Sequence, residues 1–217
     1  MGKNHISLLT FMLIIFLFNG NTYSQPAINL GELKQQIIRY YENGDYSKDA
    51  EAVINKAEDS LKDFTFPVNA AAVFDIDETV LLNYPHIKKV DFGYIPELWD
   101  QWVALGDAPA IEPVKKLYDL LVGKNVKIIF ITGRKDFQYE PTFRNLKEEG
   151  FTVFDTLITR RSDQPYLPAS QFKENERAAL AAKGYNIIMC VGDQYSDMAG
   201  DHTGFRIKVP NYLYRID

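Results

Sequence analysis

The chain contains little cysteine and little histidine. Among its 217 residues there are one cysteine, Cys190, and three histidines. A single cysteine cannot form an internal disulfide, so a disulfide-stapled module is excluded. So few histidines also weigh against a di-iron or phosphohistidine centre. Because Cys190 lies in the apolar run 187–191, we interpret it as a small buried side chain and not as a reactive thiol.

A basic stripe or cluster is also missing. Lys and Arg together number 24 against 29 Asp and Glu, which gives a formal net charge of -5 at pH 7. An acidic chain without a basic patch does not favour duplex nucleic acid as a partner. A small anionic ligand remains compatible with this charge if local cations receive it.

Long hydrophobic runs are absent as well. Residues 6–18 are almost wholly apolar, but about 13 residues fall short of the roughly 20 that a membrane-spanning helix needs. A short segment with one lysine and no acid precedes this run, and the small residues Thr22 and Ser24 lie just before Gln25. This pattern is typical of a cleaved secretion signal. We therefore predict a signal peptide at 1–24, one domain at 25–217, a periplasmic or secreted location, and no membrane anchor after cleavage.

Helical and strand-like patterns alternate through the predicted domain. Two N-terminal helices, at 30–43 and 47–64, are separated by Gly44. Strands are predicted at 70–74, 126–131, 156–159, 186–191 and 205–209. Further helices are predicted at 96–105, 113–123, 141–149 and 171–183, with Gly123, Gly150 and Gly184 as stops. The alternation predicts an α/β fold, a parallel sheet with helices on both faces.

Residues 80–113, after the first predicted strand, form an irregular segment rich in aromatic residues and proline. A connection of this length in a compact domain is usually functional or carries a short helix. We interpret it as a small lid in which Tyr84 and Trp99 are candidate substrate-binding residues that stack on an aromatic leaving group. The alternative, that Trp99 and Trp102 only pack a small helix onto the core, stays open.

Three polar clusters follow predicted strands. Asp75 and Asp77 follow the first, the tripeptide 132–134 follows the second, and 192–197, with Asp193 and Asp197, follows the fourth. Ligands of open parallel sheets bind beyond the carboxyl ends of the strands, so these clusters should meet there. Four converging carboxylates repel one another, and a hard divalent cation such as Mg²⁺ relieves that repulsion. An aspartate at one strand end would alone be read as a solvated turn residue, but three coincident clusters favour a metal site.

Two further features suit an anionic substrate. Thr132 and Gly133 offer a hydroxyl beside an accessible backbone amide, a pairing that binds phosphate or another oxyanion. Lys173 lies at the start of a predicted helix, where the amide dipole favours an anion. Taken singly, Thr-Gly is a weak turn signal and Lys173 would be a solvated lysine.

These motifs occur in a recognisable order. Phe-Asp-Ile-Asp-Glu-Thr, then Ile-Thr-Gly-Arg, then Lys173 with Arg177, then Gly-Asp-Gln-Tyr-Ser-Asp resemble the four motifs of the haloacid dehalogenase (HAD) superfamily. More narrowly, the chain resembles its secreted acid phosphatase branch, which includes class B-type bacterial acid phosphatases and plant vegetative storage proteins. The resemblance covers most of the chain after the predicted signal. It implies a Rossmann-like HAD fold.

The resemblance also implies a role for each motif residue. The catalytic residues would be Asp75 as nucleophile, Asp77 as general acid and base, and Lys173 as the cation that neutralises the phosphoryl group. Substrate would contact Thr132, Gly133, Arg134, Tyr84 and Trp99. The Mg²⁺ ligands would be Asp75, Asp77 through its backbone carbonyl, Asp193 and Asp197.

We therefore predict a secreted Mg²⁺-dependent phosphomonoesterase, an acid phosphatase with nucleotides among its candidate substrates. It would act on a small phosphomonoester through an aspartyl-phosphate intermediate. A non-catalytic storage or binding protein on the same scaffold and a phosphotransferase to alcohol acceptors stay open as alternatives. Asp75 favours the enzyme, since the storage relatives tend to lack this first aspartate. The oligomeric state is not fixed by the sequence, and a homo-oligomer is among the options.

Overall fold

The structure, a computed structural model, describes residues 27–216, so the predicted signal peptide lies outside the described residues. One parallel sheet has the strand order β3-β2-β1-β4-β5. The strands are β1 Ala70–Phe74, β2 Lys127–Lys135, β3 Thr156–Arg160, β4 Asn186–Gly192 and β5 Phe205–Lys208. The predicted α/β fold with a parallel sheet is confirmed.

Seven α-helices accompany the sheet within residues 27–216. They are α1 Leu30–Glu42, α2 Asp45–Leu61, α3 Tyr84–Lys89, α4 Pro96–Leu105, α5 Glu112–Gly123, α6 Tyr139–Glu148 and α7 Ala169–Ala182. Short 3-10 turns occur at Asp136–Gln138 and Tyr195–Met198. Over these described residues, no helix combines the length and apolar character that crossing a membrane requires.

Strand β1 lies at the centre of the sheet, and its five residues are all buried. Side chains alternate along a strand, so Ala72 and Phe74 enter the core formed with α2 and α5, while Ala71 and Val73 enter the core formed with α7. Helices therefore cover both faces, as predicted. Cys190 is buried in the second core, in agreement with its interpretation as a small apolar side chain.

The register brings three strand ends together at one edge. Phe74, the last residue of β1, pairs with Phe130 of β2 on one side and with Val191 of β4 on the other. The chain segments that leave β1, β2 and β4 are therefore neighbours in space. This is the edge at which open parallel sheets bind ligands.

Some predicted boundaries were wrong for identifiable reasons. Strand β2 continues through Thr132-Gly133-Arg134 because Lys135 still pairs with Arg160 of β3 after an irregularity in the register. The polar tripeptide thus forms the irregular end of β2 and does not follow it. The left-handed residue after α5 is Asn125, with φ 57°, and not Gly123. Helix α3 has only six residues, too short to show a helical pattern in the sequence.

The N-terminal helices lie on the outside of the domain and reach the lid. Helix α2 buries Ala50, Ile54 and Ala57, and Ile54 and Ala57 join the core that α5 shares. Helix α1 buries none of its residues. Its Tyr41 ring nevertheless stacks on the Tyr84 ring of α3, with 4.6 Å between the ring centroids. Helix α1 is thus tied to the segment that follows β1.

Candidate active site

Three carboxylates gather at the ends of β1 and β4. Asp75 directly follows β1, Asp193 directly follows β4, and Asp197 lies in the 3-10 turn after it. One oxygen of each lies within 4.8 Å of the others, and all three residues are buried. These residues are called the acid cluster below. The structure thus brings together three of the four aspartates that the sequence places near a metal.

Lys173 of α7 contacts two members of the acid cluster. Its Nζ donates hydrogen bonds to Oδ1 of Asp75 and, at 2.5 Å, to Oδ1 of Asp197. The side chain is buried, so Lys173 is not the solvated lysine that its position alone would suggest. One lysine faces three carboxyl groups, so the cluster would hold more negative than positive charge with all three ionised.

Burial and the neighbouring charges alter the pKa values of Asp75, Asp193 and Lys173. Burial raises the pKa of Asp75 well above its usual range, and the charges of Asp197 and Asp193 add to the effect against the lowering influence of Lys173. Burial, followed by the charge of Asp197, raises the pKa of Asp193 to about 7. Burial alone would lower the pKa of Lys173, but Asp197 and Asp75 raise it. Asp75 and Asp193 are thus disfavoured in their charged form, whereas Lys173 is held protonated.

The acid cluster fits a hard divalent cation. Oδ2 of Asp193 accepts amide N–H groups from Asn211 and Gln194, both at 2.5 Å, which fixes the orientation of the carboxylate. The Thr79 hydroxyl lies 3.2 Å from Oδ2 of Asp75 and 3.4 Å from Oδ1 of Asp193, between the two acids. Carboxylate oxygens held in this way are the ligands that Mg²⁺ prefers.

The loop that carries Asp197 is shaped by two further residues. An added Cβ at Gly192 would lie 2.3 Å from Cβ of Asp197, so only glycine allows this close approach. The buried guanidinium of Arg177 donates to the backbone oxygens of Asp197 at 2.9 Å and Asp201 at 3.2 Å. The sequence analysis named Arg177 only as part of the motif of Lys173. In the structure it holds this loop in place.

Asp77 has different surroundings from Asp75. Its Oδ1 accepts from Nη2 of Arg134 at 2.7 Å and from Nδ2 of Asn83 at 2.9 Å. Nη1 of Arg134 donates to the hydroxyl of Thr142 at 3.0 Å. Arg134, predicted as a substrate-binding residue, is therefore buried and paired with Asp77. The Asp77 side chain is not a member of the acid cluster, so only its backbone carbonyl remains as the predicted metal ligand.

Thr132 and Gly133 lie at the irregular end of β2. The buried Thr132 hydroxyl accepts the backbone N–H of Arg134 at 3.1 Å, which leaves its own proton for another acceptor. Gly133 is exposed, and an added Cβ would meet nothing within 4 Å. The backbone at Gly133 is therefore open to an approaching oxyanion.

Some aromatic residues of the lid pack it against the rest of the domain, whereas one lies beside the site. Tyr84 is buried, and its hydroxyl donates to Oε1 of Glu42 at 2.9 Å, so it packs α3 against α1 and is not open for the predicted stacking on a ligand. Trp102 stacks on His86 at 5.6 Å, which agrees with the packing alternative. Trp99 is half-buried and lies 5.7 Å from the guanidinium carbon of Arg134. Of the aromatic candidates, Trp99 is the one that borders the Asp77–Arg134 pair.

Sequence reasoning missed a buried network under the site. Glu78 is completely buried, and burial followed by the charge of Asp77 raises its pKa to about 8. Its carboxylate accepts the backbone N–H of Asn83 at 2.7 Å and the hydroxyl of Tyr214. Residues 210–216 thus cross the site edge, where Asn211 also contacts Asp193. The polar Glu78 between Asp77 and an apolar run was the available sequence signal, but nothing in the sequence pointed to Tyr214.

Comparisons with known proteins place these features in a family. The family model for HAD superfamily subfamily IIIB (acid phosphatase) matches residues 23–217. A stem 28 kDa glycoprotein of Glycine max is 37% identical over 183 residues, 82% of this chain and 72% of that protein. Acid phosphatase 1 of Solanum lycopersicum is 34% identical over 148 residues, 66% of this chain and 58% of that protein. The crystal structure of class C acid phosphatase from Bacillus anthracis with tungstate bound superposes with a TM-score of 0.67, at 24% identity, over 84% of this chain and 86% of that one.

Proposed function

The chain belongs to subfamily IIIB of the HAD superfamily, the acid phosphatases, and we propose that it is a secreted, Mg²⁺-dependent phosphomonoesterase that works through an aspartyl phosphate. The observation that carries this proposal is the buried acid cluster of Asp75, Asp193 and Asp197, in which Lys173 pairs with Asp75 and Asp197. Its secretion rests on the sequence pattern of residues 1–24.

Asp75 is the proposed nucleophile. One of its carboxylate oxygens forms a bond to phosphorus while the bond from phosphorus to the leaving-group oxygen breaks, which gives an aspartyl phosphate. Water then attacks the phosphorus, the bond from phosphorus to the Asp75 oxygen breaks, and inorganic phosphate and the free Asp75 carboxylate are released. The ammonium group of Lys173, already in contact with Asp75, offsets the repulsion between a carboxylate and an incoming phosphate dianion.

Asp77 is the proposed general acid and base. It gives a proton to the leaving-group oxygen in the first step and takes one from the attacking water in the second. Its pairing with Arg134 holds the carboxylate in place for both transfers. Thr132 and Gly133, with a free hydroxyl proton and an open backbone, are the proposed contacts for the phosphoryl oxygens.

The metal would be held by the acid cluster, with the backbone carbonyl of Asp77 as a further ligand implied by the family. A bound Mg²⁺ supplies positive charge that stabilises the phosphoryl group and keeps the surrounding carboxylates ionised. The excess of three carboxylates over one lysine supports this part of the proposal.

A screen for phosphate release tests the proposal. The purified protein would be given nucleotides, sugar phosphates and aryl phosphates, with added Mg²⁺ or with a chelator. We expect release from at least one class with Mg²⁺, loss of release with the chelator, and recovery when Mg²⁺ is restored. No chelator-sensitive release from any substrate would contradict the proposal and favour the storage or binding alternative. Alkyl phosphate formed in the presence of a competing alcohol would indicate a phosphotransferase.

A further inference from the structure

The two oxygens of the Asp77 carboxylate are bound unequally. Oδ1 accepts from Nη2 of Arg134 at 2.7 Å, from Nε of Arg134 at 3.1 Å and from Nδ2 of Asn83 at 2.9 Å. Oδ2 has one described contact, with Nε of Arg134 at 3.3 Å. Since Nε of Arg134 lies almost midway between the two oxygens, the distinction depends on Nη2 and on Asn83.

Asn83 is itself held in one orientation. It is completely buried, and its backbone N–H donates to Glu78 at 2.7 Å. Its side-chain Oδ1 accepts the indole N–H of Trp102 at 2.8 Å. An indole nitrogen can only donate, so this bond requires the amide oxygen to face Trp102 and the amide nitrogen to face Asp77. A reversed amide would place two donors together at Trp102 and two acceptors together at Asp77.

Asn83 has packed or hydrogen-bonded neighbours on two sides. Its Nδ2 also lies 3.4 Å from Oε2 of Glu78, which receives the hydroxyl of Tyr214. Trp102 belongs to the lid helix α4 and stacks on His86 of α3. The amide therefore connects the lid to the carboxylate that the proposed mechanism uses for proton transfer.

On the basis of the proposed function, we propose that Asn83 is a positioning residue: its amide holds Oδ1 of Asp77 and so leaves Oδ2 as the oxygen that delivers the proton to the leaving group. Trp102 sets the orientation of that amide. In the balanced step, the O–H bond at Oδ2 breaks, a new O–H bond forms on the departing alkoxide, and the electron pair remains on the carboxylate. A residue that only supports the fold would affect all substrates alike, whereas Asn83 should matter most where the leaving group needs a proton.

The test compares kcat/KM for an alkyl phosphate with kcat/KM for 4-nitrophenyl phosphate. Because kcat/KM reports the steps up to the first phosphoryl transfer, it isolates the leaving-group proton. For Asn83→Ala we expect a loss on the order of 10²-fold with the alkyl ester and only a few-fold loss with the nitrophenyl ester. Trp102→Phe keeps an aromatic ring and removes the indole N–H, so it should give a smaller loss with the same preference. This second variant also serves if Asn83→Ala does not fold.

A double-mutant cycle and a matched control complete the test. In an Asp77→Ala background, Asn83→Ala should cause no further loss on the alkyl ester, because its effect passes through Asp77. Asn145→Ala removes another buried asparagine, one bonded to the backbone of Ala108, and should leave the ratio of the two kcat/KM values unchanged. Equal losses on both esters, or an Asn83 effect that persists without Asp77, would overturn this inference in an active enzyme. A wild-type protein that releases no phosphate would instead overturn the proposed function.

Discussion

The two aspartates that follow β1 lie two residues apart in opposite electrostatic settings. Asp75 belongs to a cluster in which one lysine faces three buried carboxylates. Asp77 is paired with one arginine and further bonded by Asn83. On the Asp75 side the three carboxylates outnumber the single charge of Lys173, so a bound metal cation is needed to balance them. On the Asp77 side the charge of Asp77 is balanced by Arg134 without a metal. Neighbouring residues of the same type can therefore be prepared for different chemistry.

The backbone explains why the two side chains separate. The N–H of Asp75 donates to the carbonyl of Val191 at 2.9 Å, which continues the pairing of β1 with β4 and keeps Asp75 beside the loop of Asp193. Ile76 then enters the core, and the chain turns so that Asp77 meets Arg134 at the end of β2. Asp75 thus lies beside the end of β4, and Asp77 lies beside the end of β2.

Replacing Asp75 should give the largest effect on the Asp75 side. We expect Asp75→Asn to lose kcat by about 10⁴-fold or more, because the nucleophile is removed. The fold should persist, since the substitution removes a charge from a cluster that has too much negative charge. Steady-state kinetics and circular dichroism measure both. Asp155→Asn, at the opposite end of the sheet before β3, is the matched control and should retain activity. Turnover near the wild-type level in Asp75→Asn would refute the covalent mechanism.

Replacing Arg134 tests whether protein groups alone balance the charge of Asp77, in which case the loss of stability should not depend on Mg²⁺. Arg134→Met leaves Asp77 without its charged partner and with Asn83 as its remaining donor. Breaking a buried ion pair costs about 3–5 kcal/mol, with the lower end expected here. The Asp77 side chain is 17% exposed, so water offsets part of the cost. Arg134→Lys should be only a partial rescue because a lysine lacks the guanidinium fork. The free energy of unfolding, measured with and without Mg²⁺, should fall by the same amount in both conditions.

The matched control for this prediction is Arg144→Met. Arg144 donates to the backbone oxygens of Ala104 and Leu105 at an exposed position, so its loss should cost much less. A loss of stability in Arg134→Met that appears only when Mg²⁺ is present would mean that the two sides are not separate.

Much of the fold was predictable because the sheet is buried on both faces. Continuous apolar runs placed β1 at its observed bounds and β2 and β4 to within a few residues, and the polar residues after them located the edge of the site. The convergence of Asp75 and Asp193 at one edge follows from those runs together with the geometry of parallel sheets. The recurring family motifs supplied the roles.

The remainder depends on contacts between distant parts of the chain. Arg134 was expected to contact the substrate, and its buried pairing with Asp77 at the irregular end of β2 was not foreseen. Tyr214 reaches Glu78 from the far end of the chain, and no local pattern encodes that contact. Tyr84 and Trp99 are both aromatic residues of the lid, and the sequence does not separate their roles. Only tertiary packing places Tyr84 against α1 and leaves Trp99 beside Arg134.

The difference between the two sides can be measured directly through Asp193. Mg²⁺ at 100 times its dissociation constant should stabilise the wild-type protein by about 2.7 kcal/mol, or roughly 5–10 °C in Tm. Asp193→Asn should lose most of this gain, and Asp155→Asn should keep it.

With a chelator, Asp193→Asn should be more stable than the wild type, because the substitution removes a charge that the cluster cannot balance. The pKa of Asp193 is raised from 3.8 to about 7. The folded protein therefore holds a proton that the unfolded chain releases, so the metal-free wild type should lose stability as pH rises from about 4 to about 7. The variant should lose less over that range. Equal responses of wild type and Asp193→Asn to Mg²⁺ in thermal unfolding would remove Asp193 from the metal site and with it the contrast between the two aspartates.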